Sequence, residues 1–208
     1  MTTDTTTLET LDEKLVERDP IKQFQLWFDE ATAAGLPLAE AMTLATATPK
    51  GRPSARVVLL KQVDNDGFVF FTNYHSAKAA ELESNPYAAL VFYWASLERQ
   101  VRVEGKMERT SAQESQQYFQ TRPRESQIGA WASPQSSVIP GRRVLEERAR
   151  ELEEYYRDRD IECPSHWGGY RLRADKIEFW KGRVGRLHDR ILYELMTDGT
   201  WSIKRLAP

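Results

Sequence analysis

Two periodicities divide the chain. Between residues 20 and 34, apolar side chains return at helical spacing, with Phe24, Trp27, Phe28 and Ala31 on one face. Asp19 before Pro20 reads as an N-cap followed by proline at the first helical position, and Gly35 supplies a stop. From Met42 the spacing becomes that of strands. MTLATAT, SARVVLLKQ, GFVFFTN, YAALVFYW and RQVRVEGKMER are rich in β-branched and aromatic residues, and PKGRP, DNDG and the short helical stretch SAKAAELESNP separate them. Asp66-Gly67 marks a hairpin. Ser111 with Glu114 makes a capping box for a helix to about Gln120. ESQIGAWAS reads as a short helix and GRRVLEERARELEEYYRDR as a longer, charged amphipathic one. WGGYRLRADKIEFWKG, DRILYELM and TWSIKRLAP read as strands, and Asp198-Gly199 turns the last hairpin. Hairpin-connected strands with interspersed helices, and no strand–glycine-rich-turn–helix unit, predict a mainly antiparallel β-barrel with helical additions rather than a doubly wound nucleotide fold.

Composition narrows this reading. The chain has 208 residues, 40% hydrophobic and 29% charged, which suits a single globular domain over residues 19–208. Residues 1–18 are rich in threonine and charge and are expected to form a mobile tail. The net charge of -2 gives no global attraction to nucleic acid or membrane, so any anion site is local. One cysteine, Cys163, rules out an intrachain disulfide and is compatible with a reducing cytoplasm. That cysteine and the three histidines show no metal-ligand spacing. The opening MTTDTTTLETLDEKL is neither a signal nor a transit peptide, and no apolar run approaches the ~20 residues of a membrane span.

Four clusters could carry chemistry. In RVVLLK, Arg56 and Lys61 bracket an apolar strand; strand-end charges reaching water is the plain alternative. In FFTNYHSAK a strand ends and Ser76 caps a helix whose first turn holds Lys78, an arrangement that favours phosphate, while His75 reads as a turn residue. In YFQTRPRESQIGAWASPQSS, the donors Tyr118, Arg122 and Ser126 recur every four residues, although Pro123 interrupts the helix. An arginine with two hydroxyls is a sensible phosphate clamp. Arg124 could be a solvated charge, and Gln135, Ser136 and Ser137 form a polar loop. The fourth cluster is IEFWKG followed by GRLHDR. Trp180 there is either core or a flat wall for an aromatic ligand, and the RLHDR turn could hold an Arg–Asp ion pair or an anionic aromatic ring. Together the clusters suggest two phosphate-like anions and a flat aromatic ligand.

RVVLLK, FFTN, LERQVRVEGKMER, YFQTRPRESQIGAWAS, WGGYRL, IEFWKG, RLHDR and the terminal IKRLAP together resemble the pyridoxamine 5'-phosphate oxidase family, from about Pro20 to Pro208. The resemblance implies an FMN-binding split β-barrel, a homodimer with two sites at the subunit interface, and oxidation of pyridoxamine or pyridoxine 5'-phosphate by O2. Flavin is then expected at Arg56, Val57, Val58, Leu59, Leu60 and Lys61, at Phe71, Thr72 and Lys78, and at Gln100, Gln135, Ser136, Trp180 and Arg190. The substrate phosphate is expected at Lys61, Tyr118, Arg122 and Ser126. Arg186, Leu187 and His188 are expected at the substrate ring, Arg186 and His188 as the catalytic pair and Arg190 as a positive charge for reduced flavin. The implied division puts Arg56–Lys78 on one subunit and Gln135–Arg190 on the other. Three positions depart from the family. Ala77 stands where a basic residue is frequent, Phe71 where tyrosine is, and Glu40 lies at a shifted position and takes no role.

Overall fold

In the computed structural model, which describes residues 10–208, the strand-like runs pair antiparallel throughout. They are β1 (Ala41–Ala47), β2 (Pro53–Leu59), β3 (Gln62–Asp64), β4 (Gly67–Asn73), β5 (Tyr87–Trp94), β6 (Arg99–Arg109), β7 (Trp167–Lys181), β8 (Asp189–Leu195) and β9 (Trp201–Arg205). The helices are α1 (Pro20–Ala33), α2 (Ala77–Ser84), α3 (Ala112–Gln120), α4 (Arg124–Ala132) and α5 (Arg142–Tyr155). The sheet order is β2-β1-β5-β6-β7-β4-β3, with β8 added to β7 and β9 to β8. β2 and β3 lie at opposite ends of that order, yet only Leu60 and Lys61 separate them. The chain therefore crosses from one sheet edge to the other within two residues, and the sheet curls into a split barrel. At the crossing the Leu60 N–H donates to the Glu40 carbonyl at 2.9 Å and the Lys61 N–H to the Val69 carbonyl at 2.8 Å.

Alternation decides which side chains fill the barrel. Met42 and Leu44 of β1, Leu90, Phe92 and Trp94 of β5, and Val101, Val103 and Met107 of β6 point inward. α1 closes the interior. Its Phe24 meets the Phe68 ring edge-on at 4.8 Å, and Trp27 meets Phe179 at 5.3 Å. Each such ring contributes about 1.5–3 kcal/mol on burial. The helix starts as expected, with the Asp19 carboxylate accepting from the Ile21 N–H at 2.8 Å, and ends two residues before Gly35. A second core lies outside the barrel. There α3, α4 and α5 cover β4 and β7 through Phe119, Ile128, Ile161 and Trp167, joined by Phe71 and Tyr118. This second layer explains why GFVFFTN is apolar without alternation: β4 is covered on both faces. The adjacent Gly168 and Gly169 are required here, because a Cβ would fall 2.1 Å from the Tyr74 hydroxyl and 2.5 Å from Thr110 Oγ1 respectively.

Two expectations need correction. Residues 1–9 of the expected mobile tail lie outside the described residues, but within 10–18 the chain is anchored at Leu11, Glu13 and Glu17. Leu11 is 7% exposed, Arg205 donates to its carbonyl at 2.7 Å, and the Tyr193 hydroxyl donates to the Glu17 carbonyl at 2.7 Å. The partners are about 180 residues away in sequence, so a local polar composition could not reveal them. The capping box is half formed. Ser111 Oγ accepts from the Glu114 N–H at 3.0 Å, but the Glu114 carboxylate accepts from the buried Arg171 at 2.9 Å instead of closing the box.

Candidate active site

The barrel seam at Leu60–Lys61 opens beside the second core, and a cavity of about 500 Å³ lies between them. β2 supplies Arg56, Val57, Val58 and Leu59, and the crossing that follows it supplies Lys61. The end of β4 supplies Phe71, Thr72 and Asn73, and the first turn of α2 supplies Lys78. Across the cavity stand Tyr118, Arg122 and Ser126, then Gln135. Pro123 breaks the helix between α3 and α4, as the sequence suggests, and the three donors still share one wall.

The polar groups fall into two subsites. In one, Lys78 Nζ donates to Thr72 Oγ1 at 3.1 Å and to Gln135 Oε1 at 3.2 Å, and Thr72 Oγ1 also reaches Gln135 at 3.1 Å. Burial holds the Lys78 amine below its ordinary pKa, and the Arg56 charge pushes the same way. Arg56 is itself fixed by Glu81 at 2.9 Å, Ser54 at 2.6 Å and Thr46 at 2.6 Å. The second subsite centres on Arg122. Burial depresses its guanidinium pKa, and one terminal nitrogen, Nη1, is buried with no hydrogen-bond partner among the described residues. The group lies 4.7 Å above the Trp167 ring, which orients it without satisfying its donors. Beside it the Tyr118 phenol is pushed up by burial, with Arg122 opposing. The Tyr118 ring stacks on Phe71 at 4.0 Å, and Trp167 lies beside the pair, 5.3 Å from Phe71 and 6.2 Å from Tyr118. The Phe71 ring thus packs with the second core while the residue still lines the cavity.

The remaining predicted residues form a separate group on another face. Gln100 pairs with Trp180 across β6 and β7, and Trp180 pairs with Arg190 across β7 and β8, so the three stand in one cross-strand row. His188 packs against Trp180 with ring centroids 4.7 Å apart. Arg186 and Leu187 are exposed, and Arg186 has φ 61 in the loop before β8. None of these residues lines the cavity. Gln135 belongs to the Lys78 group within one chain, so the division runs between Gln135 and Trp180 rather than between Lys78 and Gln135. The Leu60 side chain, 5% exposed, is barrel core, and among the residues Arg56–Lys61 it alone does not line the cavity. Ser136 is exposed with φ 71, next to the cavity without lining it. Arg190 offers no free positive charge, since Glu178 takes its guanidinium at 2.8 and 3.1 Å. Arg124, left open above, is bonded to the carbonyls of Tyr156 and Arg159 and ties α4 to the end of α5.

Comparison with known proteins gives this geometry a family. A family model described as pyridoxamine 5'-phosphate oxidase matches residues 28–156, and one described as pyridoxine 5'-phosphate oxidase C-terminal dimerisation region matches residues 167–208. The chain belongs to the pyridoxamine 5'-phosphate oxidase family. It is 55% identical over 202 residues to a pyridoxine/pyridoxamine 5'-phosphate oxidase of Trichormus variabilis, covering 97% of this chain and 94% of that one. It is 57% identical over 200 residues to the corresponding protein of Burkholderia lata, covering 95% and 93%. Among solved structures it is similar to PhzG from Burkholderia lata in complex with tetrahydrophenazine-1-carboxylic acid, with a TM-score of 0.90, 29% identity, and coverage of 96% and 97%.

The sequence assigns no role to several residues at the site, although Asn73 and Trp167 stand within the FFTN and WGGYRL runs. Trp167 and Asn73 line the cavity, and Glu81, Thr46 and Ser54 orient Arg56. Glu81 is held below the usual carboxylate range by the Thr46 hydroxyl and by Arg56 despite its burial. Nothing local to α2 signals this, because the partners of Glu81 are Thr46 on β1 and Arg56 on β2. The Arg–Asp pair suspected in RLHDR does exist, but its arginines are Arg183 and Arg205.

Proposed function

We propose that the protein oxidises pyridoxamine 5'-phosphate and pyridoxine 5'-phosphate with O2, using FMN, and yields pyridoxal 5'-phosphate and hydrogen peroxide, with ammonia released from the amine. This is a step of vitamin B6 biosynthesis and salvage, in keeping with the cytoplasmic location expected from the sequence. The observation that carries the reading is Arg122. A buried guanidinium nitrogen without a partner is costly, at about 1–3 kcal/mol, unless a ligand satisfies it. Lys61, Tyr118 and Ser126 line the same cavity, a donor set suited to a phosphate dianion.

The other subsite suits the flavin phosphate. Arg56 and Lys78 bring two cations to the N-terminal end of α2, and Thr72 and Gln135 add neutral polar groups. The strand Val57–Leu59 offers a rim of backbone along which a flat ring system could lie. Bound FMN would supply the hydride acceptor and pass the electrons to O2. The chain's own residues would hold the substrate phosphate at Lys61, Tyr118, Arg122 and Ser126, and present the substrate C4' carbon in line. Arg186 and His188 would bracket the pyridine ring. The His188 Nδ1 accepts from the Arg183 N–H at 3.0 Å, so a neutral ring carries its proton on Nε2 and can donate from there.

A second copy of the chain completes the site in this reading. The cavity group and the Gln100–Trp180–Arg190 row occupy different faces, and the matched C-terminal dimerisation region contains Trp180, Arg186, His188 and Arg190. Sedimentation of the holoprotein is expected to give twice the 24.0 kDa chain mass, and a flavin-loaded monomer would contradict a shared site. The deciding experiment is spectroscopic. The FMN-loaded protein should bleach when pyridoxamine phosphate is added anaerobically, then regain its colour and release peroxide in air. A protein that cannot be loaded with FMN overturns the reading. Because PhzG is a structural relative, tetrahydrophenazine-1-carboxylic acid is the control: bleaching by it alone would transfer the site to a carboxylate substrate.

A further inference from the structure

Arg186 and His188 sit on a loop whose backbone is costly to maintain. Gly185 and Arg186 are both left-handed, at φ 70 and φ 61. The conformation suits glycine but costs an arginine on the order of 1 kcal/mol or more, and it persists only where the surroundings over-determine it. Those surroundings are a charge clamp behind the loop. Asp189, 8% exposed, accepts from Arg183 Nε at 2.6 Å through one oxygen and from Arg205 Nη1 at 2.8 Å through the other. Arg183 opens the loop, and its backbone N–H fixes the His188 ring. Arg205, at the end of β9, continues outward to Glu13 at 2.9 Å and to the Leu11 carbonyl at 2.7 Å. Arg183 from the loop and Arg205 from β9 thus meet on one carboxylate, and Arg205 links it to residues 11–13.

We infer that Asp189 and Arg205 are positioning residues for the reaction, and that residues 11–13 are part of the same device. Resting on the function proposed above, the clamp holds the strained turn that aims Arg186 and keeps His188 in the tautomer that donates from Nε2. Asp189 itself does not point at the ring. Its two oxygens are used by Arg183 and Arg205, and burial opposes its ionisation less than the two guanidinium bonds favour it.

The test uses the holoenzyme with Asp189→Asn, Arg205→Met and Arg205→Lys. Turnover per bound flavin should fall roughly 10- to 100-fold in the first two, the size expected when a reacting group is misaligned by about an ångström. The KM for pyridoxamine phosphate and the affinity for FMN should change little, because the cavity group is untouched. Arg205→Lys, which keeps the charge, should recover part of the loss. The double variant Asp189→Asn/Arg205→Met should be no worse than the poorer single one, as expected for groups acting as one unit. Nitrogen-15 spectra of histidine-labelled holoprotein give an independent readout, with three histidines in the chain and His188→Gln to assign the signal. Wild type should show an unprotonated Nδ1 in neutral His188, and Asp189→Asn should mix the tautomers. Unchanged turnover per flavin, or losses that only follow thermal stability and flavin content, would overturn the inference. If wild type does not oxidise pyridoxamine phosphate at all, the functional reading fails, and the tautomer and its dependence on Asp189 then decide the clamp alone.

Discussion

Replacing Arg122 with alanine separates a ligand-binding arginine from a structural one, because the two roles predict opposite effects on the free protein. In the free protein the side chain gains a cation–π contact with Trp167 at 4.7 Å, worth about 0.5–1 kcal/mol. Against this stands one buried nitrogen without a partner, a cost of about 1–3 kcal/mol. Burial pushes the guanidinium pKa down from its ordinary value, in keeping with a desolvation cost. Arg122→Ala should therefore leave the melting temperature of the free protein unchanged or slightly higher. With substrate, the variant loses a charge-assisted phosphate contact of about 1.5–3 kcal/mol. At 1.4 kcal/mol per factor of ten, the KM for pyridoxamine phosphate should rise about 10- to 150-fold.

Steady-state peroxide release with pyridoxamine phosphate gives the KM, and pyridoxamine without its phosphate is the internal control. The wild-type advantage over the variant should vanish with the unphosphorylated substrate, since the contact exists only with the phosphate. Arg122→Lys should lie between, retaining a charge but losing the planar fork. An unchanged KM in Arg122→Ala, or an equal loss with both substrates, would refute the assignment. A clear fall in melting temperature without a change in KM would make Arg122 a packing residue beneath Trp167.

Three further outcomes follow from the geometry. Ala77→Arg adds a cation beside Lys78 at the exposed first position of α2, and should tighten FMN severalfold at low salt, with the gain fading at high ionic strength; titration of apoprotein at two salt concentrations reads this. Leu11→Ala should cost about 2 kcal/mol and lower the melting temperature by several degrees, whereas a loose tail would tolerate it. Asp189 has its folded pKa depressed: burial opposes, but bonds from Arg183 and Arg205 prevail, so its stabilisation is complete above the unfolded-state pKa and is lost as pH falls through the folded one. Melting curves of wild type and Asp189→Asn should therefore converge in acid, and a gap that is constant with pH would contradict the charge clamp.

How much of this was legible in the sequence depended on the range of the interaction. Asp19-Pro20, Gly35, Asp66-Gly67 and the alternation in β1, β5 and β6 are local signals, and each appears in the structure where the residues put it. The Tyr118, Arg122 and Ser126 set was also readable, since all three donors reach one wall although Pro123 breaks the helix between them. Less legible was the environment that a distant strand makes around a residue. Leu60 stands in a motif whose neighbours line the cavity, but the chain changes sheet edge there and turns the side chain into the barrel. Periodicity gives the face of a strand, not which strand lies beside it. For the same reason Gln135 could be named as a ligand residue but not assigned to the Lys78 group.

That limit bears on the site itself. The cavity group depends on the β2–β3 crossing and on helices α3 and α4, while the Trp180 group depends on the register of β6, β7 and β8. The two groups share no strand end and no loop, so each can be rigid without reference to the other. β7 is the one element common to both: Trp167 at its start supports Arg122, and Trp180 near its end carries the row with Gln100 and Arg190. At about 3.4 Å per residue, the thirteen steps between these tryptophans separate them by about 44 Å along a straight strand. Among the described residues, none of the Trp180 group lines the cavity that holds Arg122. In the function proposed above, a ligand that meets both groups meets them on two copies of the chain, so the dimer is a part of the proposed chemistry, in keeping with the matched C-terminal dimerisation region.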